Sequence, residues 1–263
     1  SGCGEDTLEI PTARTLRDIP QSELRTVLKG YSGDWRGETP SARGLPSPPT
    51  ALTAPEGAVV VALPPVNVDQ ATNAFSTLVS GRRSHRAFTD QALTLKDLSF
   101  LLWATQGRTD EADGLRAAPS GGGRFPLNTW VVAQRVDGLK PGVYGYLPDS
   151  HALWQKQLIT NPGGDLVTLC YGQAFVGDAA CTFVWSAVPA RTEWKYGYIA
   201  HRLIAMEAGH VCQNLYLACE ALGWGTCGML GYNQPGLDQF LCMDGEDEFG
   251  LYIAPIGWPA EEQ

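Results

Sequence analysis

Residues 82–86, with the sequence RRSHR, concentrate three guanidinium groups and one hydroxyl directly after Gly81, in a chain whose net charge is -9. Guanidinium groups bind phosphate through charge-assisted, often bidentate hydrogen bonds, and a serine hydroxyl adds a further donor. The segment therefore predicts a phosphate-binding site. A solvated basic patch is the alternative that these residues leave open.

Residues 118–124, APSGGGR, form a glycine-rich loop ahead of an apolar, β-branched segment. Glycine lets backbone N–H groups approach a planar or anionic ligand closely, and Arg124 supplies a directed donor. Loops that lead into strands commonly carry binding residues, so this loop is a second candidate for a ligand site. A flexible turn without a ligand is the alternative.

Residues 223–228, GWGTCG, match the glycine spacing of the dinucleotide-binding fingerprint. That fingerprint needs a strand before the glycines and a helix after them. Here a long helical pattern precedes the glycines, which excludes a Rossmann site. Backbone amides in such a glycine-rich helix exit are still able to face a ligand.

Metal, nucleic-acid and membrane-spanning functions are not expected. The seven cysteines include no C-x-x-C pair and no histidine at zinc spacing, and Cys212 and Cys219 are predicted to be buried thiols in a reducing compartment. The acidic net charge disfavours nucleic-acid and anionic-membrane surfaces. No apolar run reaches the roughly 20 residues that span a bilayer.

The elements that must position these loops mix helices and strands without regular βαβ alternation, which predicts an α+β fold. The apolar periodicity predicts helices at residues 73–79, 94–105 and 198–222, and strands at residues 58–63, 129–134, 142–146, 152–154, 182–188 and 250–256. Thr94 with Asp97 is typical of a helix start, and Gly223 of a helix end.

Residues 1–70 are predicted to form an extended, proline-rich N-terminal arm, followed by one domain at residues 71–263. Seven prolines fall between Pro40 and Pro65, interleaved with Gly, Ser and Thr. Proline lacks the N–H donor and fixes φ, which disfavours regular helix. One short helix is predicted within the arm, at residues 20–29.

Taken in order, four motifs resemble those of the nitroreductase superfamily, over residues 71–259. They are RRSHR at residues 82–86, PSGGGR at 119–124, EAGH at 207–210 followed by QNL at 213–215, and LGWGT at 222–226. Several motifs in one order are more specific than any single one. Residues 142–153 and 195–202 look closer still to the azoline (thiazoline or oxazoline) dehydrogenase branch of peptide natural-product pathways.

This resemblance implies a nitroreductase-like fold, with a central mixed, mainly antiparallel sheet flanked by helices. It also implies a homodimer with FMN at the subunit boundary. By the same resemblance, Arg82 and Ser84 hold the FMN phosphate, and Arg86 reaches the pyrimidine side of the isoalloxazine, where positive charge stabilises the anionic reduced flavin. Many family members add a basic residue near the C-terminus, whereas this sequence reads GWPAEEQ there. Arg83 or Arg202 is then expected to complete the phosphate site.

The resemblance places further residues around the flavin ring. Ser120, Gly121 and Arg124 are expected to line it from the glycine-rich loop. Leu230 and Gly231 are expected to present backbone N–H groups to the flavin N5 region, where hydride enters or leaves.

Lys195 and Tyr196 resemble the Lys-Tyr pair that acts in azoline dehydrogenases. There a base removes a carbon-bound proton while hydride goes to N5, and a lysine does so when burial or nearby positive charge lowers its pKa. Packing or solvation at the helix entrance is the alternative. His210 is interpreted as a structural histidine.

The leading functional hypothesis is an FMN-dependent oxidoreductase that dehydrogenates a peptide-derived azoline or similar heterocycle. The alternatives are an NAD(P)H-dependent reductase of nitroaromatics or quinones, and a cofactor-free scaffold or peptide-recognition subunit that uses the arm. The chain is expected to be cytoplasmic, to bind a small-molecule or peptide substrate, and to bind no nucleic acid. An exported lipoprotein anchored through Cys3 is the alternative location.

Overall fold

The computed structural model describes residues 39–67, 69, 73–110 and 112–260. Seven strands form one sheet in the order β1-β4-β3-β2-β5-β7-β6, and each pairing between them is antiparallel. The strands are β1 Val60–Ala62, β2 Leu127–Ala133, β3 Gly142–Leu147, β4 Ala152–Leu158, β5 Cys181–Ala187, β6 Gly225–Thr226 and β7 Phe249–Gly257. The predicted α+β class with a mainly antiparallel sheet is confirmed.

Helices cover both faces of this sheet. They are α1 Phe75–Gly81, α2 Leu95–Gln106, α3 Pro162–Leu169, α4 Ala174–Asp178, α5 Ala190–Tyr196, α6 Ala200–Leu222 and α7 Gln234–Phe240. Strand β2 is buried throughout, with Val131 in one core and Trp130 and Val132 in the other. Because side chains alternate along a strand, the sheet has an α2 and α6 layer on one side and an α3, α4 and α7 layer on the other.

Local capping explains where the two long helices begin and end. The Thr94 side chain accepts a hydrogen bond from the Asp97 amide at 3.0 Å, as predicted for the start of α2. Gly223, at φ +81°, ends α6 as predicted. Helix α6 begins at Ala200 rather than at residue 198, because a turn of 3-10 helix at Gly197–Ile199 separates it from α5.

Four short helices, α3, α4, α5 and α7, were not predicted. Two of them carry a recognisable start: the side chains of Asn161 and Asn233 accept hydrogen bonds from the amides of Gly164 and Gly236. A proline also occupies the first turn of each of these two helices. Helices of five to eight residues are too short to show a clear apolar period.

Part of the predicted arm belongs to the sheet. Val60, Val61 and Ala62 of β1 pair with β4, which confirms the strand expected at residues 58–63. The helix predicted at residues 20–29 lies outside the described residues. Cys212 and Cys219 are buried free thiols, as predicted. Among the helices described, none is both long and apolar enough to cross a membrane.

Candidate functional site

The basic segment after α1 converges on a tyrosine that the sequence analysis did not single out. The Ser84 hydroxyl lies 2.9 Å from the hydroxyl of Tyr216 on α6. The Arg82 guanidinium lies over the same ring, 5.2 Å from its centroid. Ser84 and Arg86 are exposed, and Arg82 is half-buried. The segment thus presents the Ser84 hydroxyl and the Arg82 guanidinium at the C-terminal half of α6, and Arg86 is exposed two residues after Ser84.

The same tyrosine fixes the loop that leaves β6. The Gly228 amide donates a hydrogen bond of 2.8 Å to the Tyr216 hydroxyl. A Cβ at Gly228 would lie 2.6 Å from the Tyr252 hydroxyl and 2.7 Å from Cys212 Sγ, so only glycine fits there. The chain then runs on to Leu230 and Gly231.

Leu230 and Gly231 lie on that loop with Leu230 69% exposed. The Gly231 carbonyl accepts a hydrogen bond from Gln173 Nε2 at 3.2 Å, which holds the loop against α4. Within the described part of the chain, the backbone N–H groups of Leu230 and Gly231 have no acceptor. They remain able to donate to a ligand.

The two residues expected to complete the phosphate site differ in position. Arg83 Nη1 donates to the carbonyls of Ser80 and Arg82, both at 2.9 Å, and so caps the end of α1. Arg202 precedes Tyr216 by 14 residues on α6, which places them about 21 Å apart along the helix axis. Arg202 therefore lies too far from Ser84 of the same chain to share a phosphate with it, and its expected role in a site between two subunits stays a prediction.

The glycine-rich loop is anchored to the middle of α6. Gly121 donates its backbone N–H to Glu207 Oε1 at 2.8 Å, and the Ser120 side chain also hydrogen-bonds this carboxylate. The Phe125 amide donates to Ser120 Oγ at 2.8 Å. Burial raises the pKa of Glu207, while the two hydrogen bonds act in the opposite direction. Glu207 therefore fixes the loop from inside the protein.

Lys195 and Tyr196 lie against this loop. Gly122 has φ +62°, and a Cβ added there would lie 2.7 Å from the Tyr196 hydroxyl and 2.9 Å from Lys195 Nζ. The ammonium group is 5.8 Å from the centroid of the Tyr196 ring. Lys195 is exposed in the single chain. The structure thus brings the predicted catalytic pair to the loop that is predicted to line the flavin.

Arg124, also predicted to line the flavin, joins this loop to α5 and to the N-terminal segment. Its side chain is buried, donates from Nε to the Arg191 carbonyl at 2.7 Å and from Nη2 to Ser47 Oγ at 2.6 Å. The guanidinium also lies 4.5 Å from the centroid of the Trp194 ring. Burial lowers the pKa of Arg124. These contacts show that Arg124 holds the glycine-rich loop, α5 and the N-terminal segment together.

Residues 39–50 pass over α5 and hold it in place. The Ser41 amide donates to the Trp194 carbonyl at 2.7 Å, and Trp194 Nε1 donates to the Leu45 carbonyl at 2.8 Å. The Thr50 carbonyl accepts from Arg116 Nη2 at 2.9 Å. The proline-rich segment therefore fixes the helix that carries Lys195.

His210 lies three residues after Glu207 but is exposed on α6. Its ring lies outside the core of the single chain, and its interpretation as a structural histidine stays a prediction. The site residues thus form two groups along α6, one around Tyr216 and one around Glu207. Nine residues separate these two anchors, which corresponds to about 14 Å of helix.

The comparisons with known proteins show the family to which the chain belongs. The model of the nitroreductase family matches residues 79–258, which is more than half of the chain. The chain belongs to the nitroreductase family. It is an oxidoreductase of that family, and the superfamily predicted from the four motifs is confirmed.

Two relatives in sequence are informative. MJ1384 of Methanocaldococcus jannaschii, which is named as a nitroreductase, is 34% identical over 67% of this chain and 86% of its own length. The microcin B17-processing protein McbC of Escherichia coli is 24% identical over 58% of this chain and 57% of its own length.

Solved structures show the same fold. A nitroreductase-family structure from Ralstonia eutropha has a TM-score of 0.67 and 29% identity, over 83% of this chain and all of the other. One from Anabaena variabilis has a TM-score of 0.67 and 26% identity over 80% of this chain, which spans only 45% of that protein. The E. coli microcin synthetase McbBCD complex with truncated pro-MccB17 bound has a TM-score of 0.60 at 18% identity, covering 94% and 84% of the two chains.

Members of the nitroreductase family typically bind FMN. The residues present fit such a group, because the cationic and hydroxyl donors of Arg82, Ser84 and Arg86 suit a phosphate. The two N–H groups at Leu230 and Gly231 are available for the edge of a ring. The glycines of residues 121–123 allow close approach of a planar ligand.

Proposed function

We propose that this protein is an FMN-dependent dehydrogenase that oxidises a peptide-derived azoline or a similar heterocycle. The observation that carries the proposal is the position of Lys195 and Tyr196 against Gly122, in the loop expected beside the flavin. A base is needed there because azoline oxidation removes a proton and a hydride from adjacent atoms and leaves a double bond. The similarity to McbC supports this branch of the family.

In this proposal each group of residues has one task. Arg82 and Ser84 bind the phosphate, and Arg86 places positive charge near the pyrimidine edge. When bound, FMN supplies the hydride acceptor at N5. Leu230 and Gly231 orient that edge through their N–H groups.

Helix α5 carries the residue that accepts the proton. Lys195 Nζ accepts the carbon-bound proton of the substrate, and the neighbouring Tyr196 hydroxyl orients the heterocycle. Because Lys195 is exposed in the single chain, the surroundings that exclude water from it come from the bound ligands and from a second subunit.

We also propose a homodimer, because a second subunit would cover the exposed Lys195. Helix α6, which carries both anchors of the site, exposes Ala205, Met206 and Gly209 on one side, with Met206 54% exposed. Phe75 of α1 is 71% exposed. Exposed apolar surface beside a site is typical of a subunit interface.

The proposal is tested with Lys195→Ala and azoline-containing peptides. We expect turnover to fall by about 100-fold or more, the usual contribution of a positioned base, while bound FMN per chain stays unchanged. Lys96→Ala, which removes an exposed lysine on α2, is the matched control and is expected to retain full turnover. Undiminished azoline oxidation by Lys195→Ala would refute the assignment of Lys195 as the base.

An NAD(P)H-dependent reductase of nitroaromatics or quinones is the second candidate, favoured by the M. jannaschii relative named for nitroreductases. It predicts flavin reduction by NADH or NADPH with little dependence on Lys195. A cofactor-free scaffold would instead show no flavin bands and no thermal stabilisation by added FMN.

A further inference from the structure

Three hydrogen-bonding groups form a chain that ends at the basic segment. The Gly228 amide donates to the Tyr216 hydroxyl at 2.8 Å, and that hydroxyl lies 2.9 Å from Ser84 Oγ. Tyr216 is half-buried, whereas Ser84 is exposed. The chain therefore runs from the interior to the surface.

The donors and acceptors set the direction of this chain. An N–H group only donates, so the Tyr216 oxygen accepts from Gly228. Either hydroxyl is able to donate in the 2.9 Å contact between Tyr216 and Ser84. Donation from Tyr216 to Ser84 is the arrangement that satisfies the phenolic proton within the chain. The Ser84 proton is then left for an acceptor outside the chain. Successive hydrogen bonds polarise one another, which strengthens the last donor.

The position of this donor selects the kind of acceptor. The Arg82 guanidinium lies over the Tyr216 ring, and Arg86 is exposed two residues after Ser84. An outward hydroxyl donor between two cationic side chains suits a phosphate oxygen.

We infer that Tyr216 is a positioning residue for the flavin phosphate: its hydroxyl holds Ser84 so that the Ser84 proton points to the phosphate. The inference rests on the proposed function, since it takes FMN as the ligand. It adds a residue that none of the four sequence motifs assigned to the site.

The test compares FMN with riboflavin, which lacks the phosphate, as ligands of the purified full chain freed of flavin. Tyr216→Phe keeps the ring under Arg82 and removes only the hydroxyl. We expect it to weaken FMN binding about tenfold, the scale of one hydrogen bond to a charged group, and to leave riboflavin affinity within about twofold. Ser84→Ala, an exposed substitution, is expected to give the same pattern.

The double variant separates a relay from two independent contacts. If Tyr216 acts through Ser84, Tyr216→Phe combined with Ser84→Ala weakens FMN binding no more than Ser84→Ala alone. The matched control is Tyr144→Phe, which loses a hydrogen bond of 2.8 Å from its hydroxyl to the Lys140 carbonyl. It is expected to leave both affinities unchanged.

Three outcomes would overturn the inference. Equal losses of FMN and riboflavin affinity in Tyr216→Phe would show a general disturbance of the site. Unchanged FMN affinity in Tyr216→Phe, or additive losses in the double variant, would show that Tyr216 does not act through Ser84. A wild-type chain that binds neither ligand would instead reject the proposed function, and this inference with it.

Discussion

Two serines of the site, both predicted to contact the flavin, have opposite surroundings. The Ser120 hydroxyl accepts from the Phe125 amide and bonds to the buried carboxylate of Glu207, so its chain ends inside the protein. The Ser84 hydroxyl shares a hydrogen bond with the Tyr216 hydroxyl and is exposed, so this hydrogen-bond chain ends at the surface. The difference indicates that Ser120 fixes a loop, whereas Ser84 is available to a ligand.

The regions around these serines differ in the same way. The region of Glu207 is held from several sides, because Arg124 and Trp194 connect the glycine-rich loop, α5 and residues 39–50. The region of Ser84 consists of exposed donors that are supported by Tyr216 and by the hydrogen bond from the His85 amide to the Thr226 carbonyl. In the proposed function Lys195 acts beside the more firmly held region and the phosphate binds in the exposed one, which agrees with the tighter placement that reacting atoms require.

Gly122→Ala is expected to have the largest effect on the fixed region. The new Cβ would displace the Tyr196 hydroxyl and Lys195 Nζ, and misplacement of reacting groups on the ångström scale lowers turnover by about 100-fold. The matched control is Gly123→Ala, because Gly123 has nearly the same φ, +64°, but nothing within 4 Å of its Cβ position. Steady-state rates with an azoline peptide distinguish the two. Equal losses of turnover would mean that backbone strain, not the contact with Lys195, is responsible.

Arg124→Ala is expected to loosen α5. It removes hydrogen bonds to Arg191 and Ser47 and the stacking on Trp194, which lowers the free energy of unfolding by about 2–3 kcal/mol. Hydrogen exchange in α5 is expected to become faster, while exchange around Ser84 stays unchanged. Arg43→Ala, at an exposed arginine of the N-terminal segment, is the control. Equally faster hydrogen exchange in both regions would contradict the claim that the two regions are held in place independently.

The smallest effect concerns the pH dependence of stability at Glu207. Because burial raises its pKa, the folded state favours the protonated form. The contribution of Glu207 to stability is present below its pKa in the unfolded chain, about 4.3. It is lost as pH rises through the raised pKa of the folded state. Glu207→Gln keeps an acceptor for the Gly121 amide but does not ionise. At pH values above the raised pKa of Glu207, we expect the Glu207→Gln protein to be more stable than wild type, by about 1.4 kcal/mol for each unit by which the pKa is raised.

Denaturant unfolding from pH 4 to pH 8 measures this difference. Glu207→Ala is the contrasting variant, since it removes the acceptor and leaves the Gly121 amide unpaired, at a cost of about 1–3 kcal/mol. A Glu207→Gln protein whose stability follows the same pH dependence as wild type would show that another group titrates there.

The contrast between the regions also marks what the sequence could predict. Local features were confirmed, such as the Thr94 cap, the Gly223 stop and the strand at residues 58–63, because each depends on neighbours in the chain. The contact of Ser84 with Tyr216 spans 132 residues, and that of Gly121 with Glu207 spans 86. Contacts of that separation are set by how the layers pack, and no local pattern encodes them.

Arg124 shows the same limit of prediction from the sequence. Its residue type beside three glycines predicts a ligand donor, yet its nitrogens bind Arg191 and Ser47. The proline-rich composition of the N-terminal segment predicts an extended conformation, but it does not reveal that Ser41 and Leu45 hold Trp194. Composition indicates the conformation of a segment, whereas its partner depends on the tertiary fold.

The most direct test of the central claim is the absorption spectrum of the purified protein, recorded under anaerobic conditions with an azoline-containing peptide and, separately, with NADH and NADPH. We expect flavin bands that the azoline peptide bleaches and that neither nucleotide bleaches. Bleaching by a nucleotide alone, with the azoline peptide inert, would contradict the dehydrogenase and favour the reductase. The absence of flavin bands even after addition of FMN would contradict both.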